Sequence, residues 1–180
     1  NEKQRGFSIL AFVLFLISPL VSLPFIIFSI FNRERFALFT LALFFGILSY
    51  YLIPNWDLDI SRYYLMYEKM LSVDFTGFKL ILAEQNDYVF FFIYYLFSRT
   101  EINFQTFLLI ISTLCFYTCF RIGDSIIRKF NPTRSAYFIL MTSYVLSLPI
   151  LAMLSVTRFS IAFVLFMLFI YNHLNNKKSS

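Results

Sequence analysis

Of the 180 residues, 59% are hydrophobic and 22% aromatic, with 26 Phe and 12 Tyr, and only 14% are charged. Soluble domains are nearer half apolar and a quarter charged, so this composition, with a mean hydropathy of +0.73, excludes a water-soluble globule. It also excludes disorder, which needs low hydrophobicity and high charge, and in an apolar chain a net charge of +5 marks a cytoplasmic face rather than a nucleic-acid partner.

The apolar runs are continuous rather than alternating, which disfavours a β-barrel. The expected class is all-α. It is a polytopic transmembrane bundle of about five or six membrane helices, one of them a candidate re-entrant segment. The whole of 1–180 reads as a single membrane domain, with an interfacial or extracytoplasmic loop at 54–87.

The first apolar stretch, Phe7–Phe31, spans 25 residues, too long for the core of a signal peptide, and no A-x-A-like site follows it. It reads as a retained helix in which Pro19 and Pro24 allow a kink or a re-entrant bend. The basic turn Asn32–Arg35 leads into a second span, Phe36–Ile53. Tyr88–Phe97 is intensely apolar but short. Even a helix from Glu84 to Ser98 reaches only ~22 Å, so it is a tilted span with polar ends or a re-entrant segment. Phe104–Phe120 is a good span. Ala136–Tyr171 is 36 residues, too long for one helix, and is expected to fold as a hairpin turning near Leu154–Arg158. The tail, Asn172–Ser180, is polar and basic.

Charge is sorted along the chain. Between Pro54 and Asn103 lie seven acids (Asp57, Asp59, Glu68, Asp74, Glu84, Asp87, Glu101) against four bases, a local charge of −3. The remainder carries eleven bases and three acids, or +8. The turn Arg121–Arg134 holds Arg121, Arg128, Lys129 and Arg134 against Asp124, which places it in the cytoplasm by the positive-inside rule. The hairpin tip at Arg158 is then outside and Lys177–Lys178 inside. The side taken by the acidic stretch depends on whether the segment at 84–98 crosses, and residue counting alone leaves that open.

Cys115 and Cys119 sit at i, i+4 on one helix face with no His or carboxylate beside them, a pattern of small packing residues rather than a metal or redox pair. The single histidine, His173, marks a helix end. No metal or other cofactor is expected. Glycine-rich phosphate loops, G-x-S-x-G and H-E-x-x-H are absent, so nucleotide and protease chemistry have no support.

Three segments could carry chemistry. Read as a helix from about Asp57, the segment Pro54–Tyr67 puts Asp59, Arg62, Tyr63, Met66 and Met70 on one face, where an acid, a guanidinium and hydroxyls could bind sugars or a diphosphate. The same segment also reads as an interfacial amphipathic helix with an aromatic belt around Trp56 and a snorkelling Arg62. Glu84-Gln85-Asn86-Asp87 supplies carboxylates for a base or a ligand, or simply for N-terminal capping. Arg158 lies within Ser155–Ser160 at an apolar hairpin. There a guanidinium costs several kcal/mol unless it snorkels or pairs, so it either holds a phosphate or anchors the turn at headgroups.

Asp59, Tyr63 and Tyr67 form an Asp-x-x-x-Tyr-x-x-x-Tyr pattern after the second span. A Glu-led polar knot (Glu84, Asp87) precedes an aromatic helix and an Ile-Asn-Phe-Gln turn at Ile102–Gln105, and Ser-x-x-Arg-x-x-x-Ala (Ser155, Arg158, Ala162) opens a later helix. In order and spacing, over roughly Asn32 to Tyr171, these resemble the EpsG/Wzy-type polysaccharide polymerase family of O-antigen and capsule synthesis. Members of that family are longer and carry a further His-containing motif in a second half, so the chain resembles an N-terminal portion.

The resemblance implies a multi-pass protein of the bacterial inner membrane. It implies a polymerase that extends a surface polysaccharide by glycan transfer between undecaprenyl-diphosphate-linked repeat units. Asp59, Glu84 and Arg158 are then the expected catalytic residues, and Arg62, Tyr63, Tyr67 and Asp87 the substrate-binding ones. The implied partners are the lipid-linked oligosaccharide, membrane lipids, and chain-length regulator or flippase proteins, with no nucleic acid. Since the family's Asp/Tyr loop and Arg are external, the resemblance also places the acidic stretch outside. Two other classes stay open: a transporter or flippase of lipid-linked sugars, and a non-catalytic membrane subunit. A transporter would need charge along a central cavity, whereas charge here sits at the ends of apolar runs.

Overall fold

Proline, capping side chains and left-handed turn residues set where the helices begin and end. In the computed structural model, residues 2–52, 59–84, 87–155 and 157–176 are described, and every regular element among them is a helix. Ser18 is extended (φ −153°, ψ 109°), as a residue before proline prefers, and Pro19 opens the next helix at its first position. The run expected as one helix is therefore two, α1 (Glu2–Ile17) and α2 (Pro19–Phe31). The Phe7 ring meets Phe28 at 5.2 Å, so the two helices double back as a hairpin. The break falls at Ser18–Pro19, while Pro24 stays inside α2.

Arg33, at φ 63°, turns the chain into α3 (Arg35–Tyr50). The Ser8 N–H donates to Glu34 Oε2 at 2.9 Å and ties α1 to this turn. After the undescribed 53–58 come α4 (Asp59–Ser72), α5 (Phe75–Ala83) and α6 (Tyr88–Ser98). Asp74 caps α5 by accepting from the Gly77 N–H at 2.8 Å. Glu101, at φ 57°, makes the turn into α7 (Phe104–Arg128), whose cap Asn103 accepts from the Thr106 N–H at 2.8 Å. Asn131, at φ 45°, a conformation Asn tolerates well, reverses the chain into α8 (Arg134–Ser147). Pro149 ends that run. The run expected as a two-helix hairpin turning near Leu154–Arg158 is instead three helices, since the six-residue α9 (Ile150–Ser155) stands between α8 and α10 (Thr157–Asn176), and α10 packs on α7 and α9. His173 lies in the last turn of α10, its ring stacked near Phe169.

The centre of the fold is an antiparallel pair, α3 against α7. Along its length Ser49 donates to Ser112 at 2.8 Å, Phe45 stacks on Phe116 at 4.6 Å, and Arg35 reaches Asp124 at 3.5 Å. Gly46 permits the close approach: a Cβ there would press into Thr113 Oγ1 and lie 2.9 Å from the Leu109 carbonyl oxygen. The α1–α2 hairpin covers α3, α8 packs on α7 and α2, and α10 lies along α7. Helices α4–α6 form a separate layer over the Phe104 end of α7. There Tyr67, Tyr94, Phe104 and Phe107 are fully buried against one another.

At the opposite end of α7, Asp124 is buried and holds three helices. Its Oδ1 accepts from Arg128 Nε at 2.5 Å and from the Tyr137 hydroxyl at 2.6 Å, and its Oδ2 faces Arg35. Arg33 donates to the Pro132 carbonyl and Arg128 to the Arg33 carbonyl, which closes the α2–α3 turn onto the α7–α8 turn.

Among the described helices α7 alone is long and apolar enough to cross a membrane by length and composition. Phe7–Ile17, Pro19–Phe31, Arg35–Tyr50, Tyr88–Ser98 and Arg158–His173 are apolar but shorter. The span expected at 36–53 is a 16-residue helix, and that at 88–97 an 11-residue helix only ~16 Å long.

Candidate functional site

Two helices begin side by side at the strongest candidate site. Asp87 is the N-cap residue of α6, but with φ −106° and ψ 59° its carboxylate does not turn back onto the helix N–H groups. It reaches outward instead. Arg158 lies in the first turn of α10, a position fixed when the Ser160 hydroxyl donates to the Met153 carbonyl at 2.7 Å and clamps α10 onto α9. Arg158 Nη2 and Asp87 Oδ2 are 2.6 Å apart. Both line a cleft of about 360 Å³, whose walls are Tyr88, Val89 and Phe90 of α6 and Ile161, Ala162 and Leu165 of α10.

The electrostatics of this cleft favour an anion. Two helix starts, those of α6 and α10, open at it, each carrying the partial positive charge of a helix N-terminus. Arg158 adds a full charge with a planar, two-point donor geometry, and among the described residues Asp87 is the single acid in the lining. The side chains of the pair are 57% and 34% exposed. An ion pair this wet is worth only ~0–1 kcal/mol, so a phosphate or diphosphate oxygen can displace the carboxylate at little cost. The apolar walls below suit an alkyl chain or the flat face of a sugar.

The remaining sequence candidates are placed as follows. Tyr63 is half-buried on α4 and meets Phe90 edge-on at 5.5 Å, directly behind the cleft wall. Tyr67 is fully buried and donates to the Ile102 carbonyl at 3.0 Å; burial, then the charge of Glu68, pushes its hydroxyl up to about 12. Arg62 is exposed on α4 and does not line the cleft. Glu84 is exposed at the C-terminal end of α5. Asp59 opens α4, but its side chain lies outside the described residues, as do the side chain of Ser155 and the whole of Trp56, Asp57, Gln85 and Asn86.

Two of the three sequence motifs thus meet in one cleft, through Asp87 on one side and Arg158 and Ala162 on the other. The Asp-Tyr-Tyr motif stands behind it through Tyr63. Cys115 and Cys119 are buried and unbonded within α7. Sequence reasoning missed Ile161 and Leu165. Their only signal is the i+3 and i+7 spacing from Arg158, which in an apolar helix is shared with many other positions. It also treated Asp124 as one charge in a basic turn. Comparison with family models, with curated proteins and with solved structures returns no match.

Proposed function

We propose that the chain is a multi-pass inner-membrane protein of the EpsG/Wzy type. In this reading it extends a surface polysaccharide by transferring glycan from one undecaprenyl diphosphate to a second lipid-linked repeat unit. The membrane part rests on α7 and on the outward apolar side chains of the shorter helices, such as Ile17, Leu20, Leu146 and Phe169, which a bilayer would cover. The layer α4–α6 lies at the Phe104 end of α7, and the basic turn Arg128–Arg134 at the other. This arrangement supports an external loop at 54–87 and a cytoplasmic turn at 121–134.

The observation that carries the chemistry is the Asp87–Arg158 pair in its apolar-walled cleft. Arg158 binds the donor's diphosphate and stabilises the charge that grows as the anomeric C–O bond breaks and the bonding pair leaves with the lipid diphosphate. The acceptor hydroxyl oxygen forms the new bond to the anomeric carbon. Asp87, released from Arg158 by the incoming phosphate, stands beside that hydroxyl and takes its proton. Asp59 and Glu84 remain the further carboxylates that the resemblance assigns. The leaving diphosphate is already activated, so no nucleotide is needed.

The test is glycan chain length on a gel at matched membrane abundance. Arg158→Lys keeps the charge but loses the two-point donor and should retain a small fraction of polymer, and Arg158→Ala essentially none. A Lys variant indistinguishable from the parent would remove Arg158 from the site, because a turn anchored at headgroups tolerates Lys as well as Arg.

A further inference from the structure

At the end of α10 remote from Arg158 a second cleft, of about 340 Å³, opens between α7 and α10, lined by Tyr117, Thr118, Arg121, Ser125, Leu168 and Tyr171 among others. Its floor is a hydroxyl pair, Ser125 and Tyr171, 2.6 Å apart. Lys129 stands over the Tyr171 ring at 5.5 Å. Arg121, Ser125 and Lys129 follow at intervals of four on α7, so they rise along one face toward its C-terminus. Among the described residues no acid lines the cleft. The nearest by sequence, Asp124, is buried on the other side of α7 against Arg35, Arg128 and Tyr137.

Arg121 lies about two turns inside the end of α7, the helix long and apolar enough to cross a membrane. It has no ion pair or hydrogen bond among the described residues, whereas Arg33, Arg99, Arg128 and Arg158 all do. A guanidinium at that depth needs an anion or a hydrogen-bond acceptor. Toward the middle of the two helices the flanking surface is apolar, with Leu114 on α7 and Leu165, Phe166 and Phe169 on α10 all exposed. A phosphate at Arg121 would leave attached acyl chains against that surface.

From this we infer a binding site for the phosphate headgroup of an anionic phospholipid, with Arg121 and Lys129 as the charged contacts, the Ser125–Tyr171 hydroxyls as the neutral ones, and α7 and α10 as the acyl bed. The inference rests on the membrane reading above but not on glycan transfer. Bound lipid would bridge α7 and α10 at the end where the Ser125 and Tyr171 hydroxyls already meet.

The experiment is thermal unfolding of the full chain in a neutral detergent, titrated with short-chain phosphatidylglycerol, with phosphatidylcholine of the same chain length, and with inorganic phosphate. The wild type should be stabilised in a saturable way by phosphatidylglycerol alone. Arg121→Gln should bind it about tenfold more weakly, as expected for one lost charge-assisted contact. Lys69→Gln, at an exposed cation on α4 that lines neither cleft, should bind it as the wild type does, which separates this site from a general loss of positive charge. Should Arg121→Gln fail to fold, Lys129→Gln, at an exposed position, is expected to weaken binding in its place. Equal stabilisation by phosphatidylcholine, an equal effect of inorganic phosphate, or an unchanged affinity in the Arg121 or Lys129 variant would each overturn the assignment.

Discussion

Replacing Asp124 by Ala should be among the most damaging single changes in the chain, and its size follows from three contacts. The carboxylate is 1% exposed; Oδ1 accepts from Arg128 Nε at 2.5 Å and from the Tyr137 hydroxyl at 2.6 Å, and Oδ2 lies 3.5 Å from Arg35 Nε. Arg35 is 60% exposed, so its share is only ~0–1 kcal/mol. Arg128 is 29% exposed, and stranding it beside an unpaired Tyr137 hydroxyl costs about 3 kcal/mol, the lower end for breaking a buried pair. For a chain of this size that is a fall in Tm of roughly 6–12 °C.

Asn keeps one acceptor oxygen and should lose about half as much. Adding Arg128→Met to Asp124→Ala should recover part of the loss by removing the stranded charge, though not all of it, since Arg128 also donates to the Arg33 carbonyl at 2.7 Å. Circular dichroism melts of the purified chain in detergent are the assay. An Asp124→Ala protein melting within about 2 °C of the parent would refute the account, because only a solvated, weakly coupled carboxylate behaves in that way.

Gly46→Ala should destabilise by about 1–2 kcal/mol in the same melts: the added Cβ meets Thr113 and the Leu109 carbonyl, and a backbone oxygen cannot rotate away, while Ala returns ~1 kcal/mol of helix propensity. Thr113→Ala in that background should restore part of the loss. Tyr67→Phe should lower stability by about 1 kcal/mol at neutral pH through the lost bond to Ile102. Because the folded hydroxyl is held up to about 12 against an ordinary 10, the stability it lends is complete below pH 10 and falls as pH rises toward 12. The gap in Tm between parent and Tyr67→Phe should therefore shrink over that interval; a constant gap would contradict the burial of the hydroxyl. Single cysteines at Ser72 and Asn131, both exposed, should react with an impermeant thiol reagent from outside and from the cytoplasm respectively, and the reverse pattern would overturn the proposed orientation.

Helical class and the α7 segment were legible because they depend on apolar run length, a local property, whereas the turn expected near Leu154–Arg158 is preceded by a break at Leu148–Pro149. The doubling back at Ser18 was only half legible. A pre-proline residue signals a break, but whether the two halves stay collinear depends on what each can bury, and Phe7, Ala11 and Phe15 find their partners only once α2 and α3 are in place. The buried face of α4 was not read from the sequence for a similar reason. Counting from Asp59 favoured Arg62, Tyr63, Met66 and Met70, whereas the buried stripe is Ile60, Tyr67 and Met70, with Tyr63 and Tyr64 half-buried beside it. Charge and hydroxyls drew attention to one side of that helix, while burial is decided by the aromatic wall of α6 and the first turn of α7.

The candidate site shows the same division between local and non-local information. Each carboxylate near Asp87 looked equally able to cap a helix, and the sequence offered no reason to prefer Asp87 over Glu84 as the partner of Arg158. The choice is made by backbone geometry: Asp87 is the N-cap residue but makes no side-chain cap bond, and its free carboxylate is aimed at the neighbouring helix start. A capped Asp87 would spend its oxygens on its own N–H groups and leave Arg158 with only solvent or headgroups. A weak, exposed ion pair is also what a binding cleft requires in its resting state, since a buried and strongly held pair would compete with any incoming phosphate. Under the proposed reading the low stability of the Asp87–Arg158 contact serves binding, and a variant that strengthens it, for example Asp87→Glu with its longer reach, should give shorter glycan chains without lowering Tm.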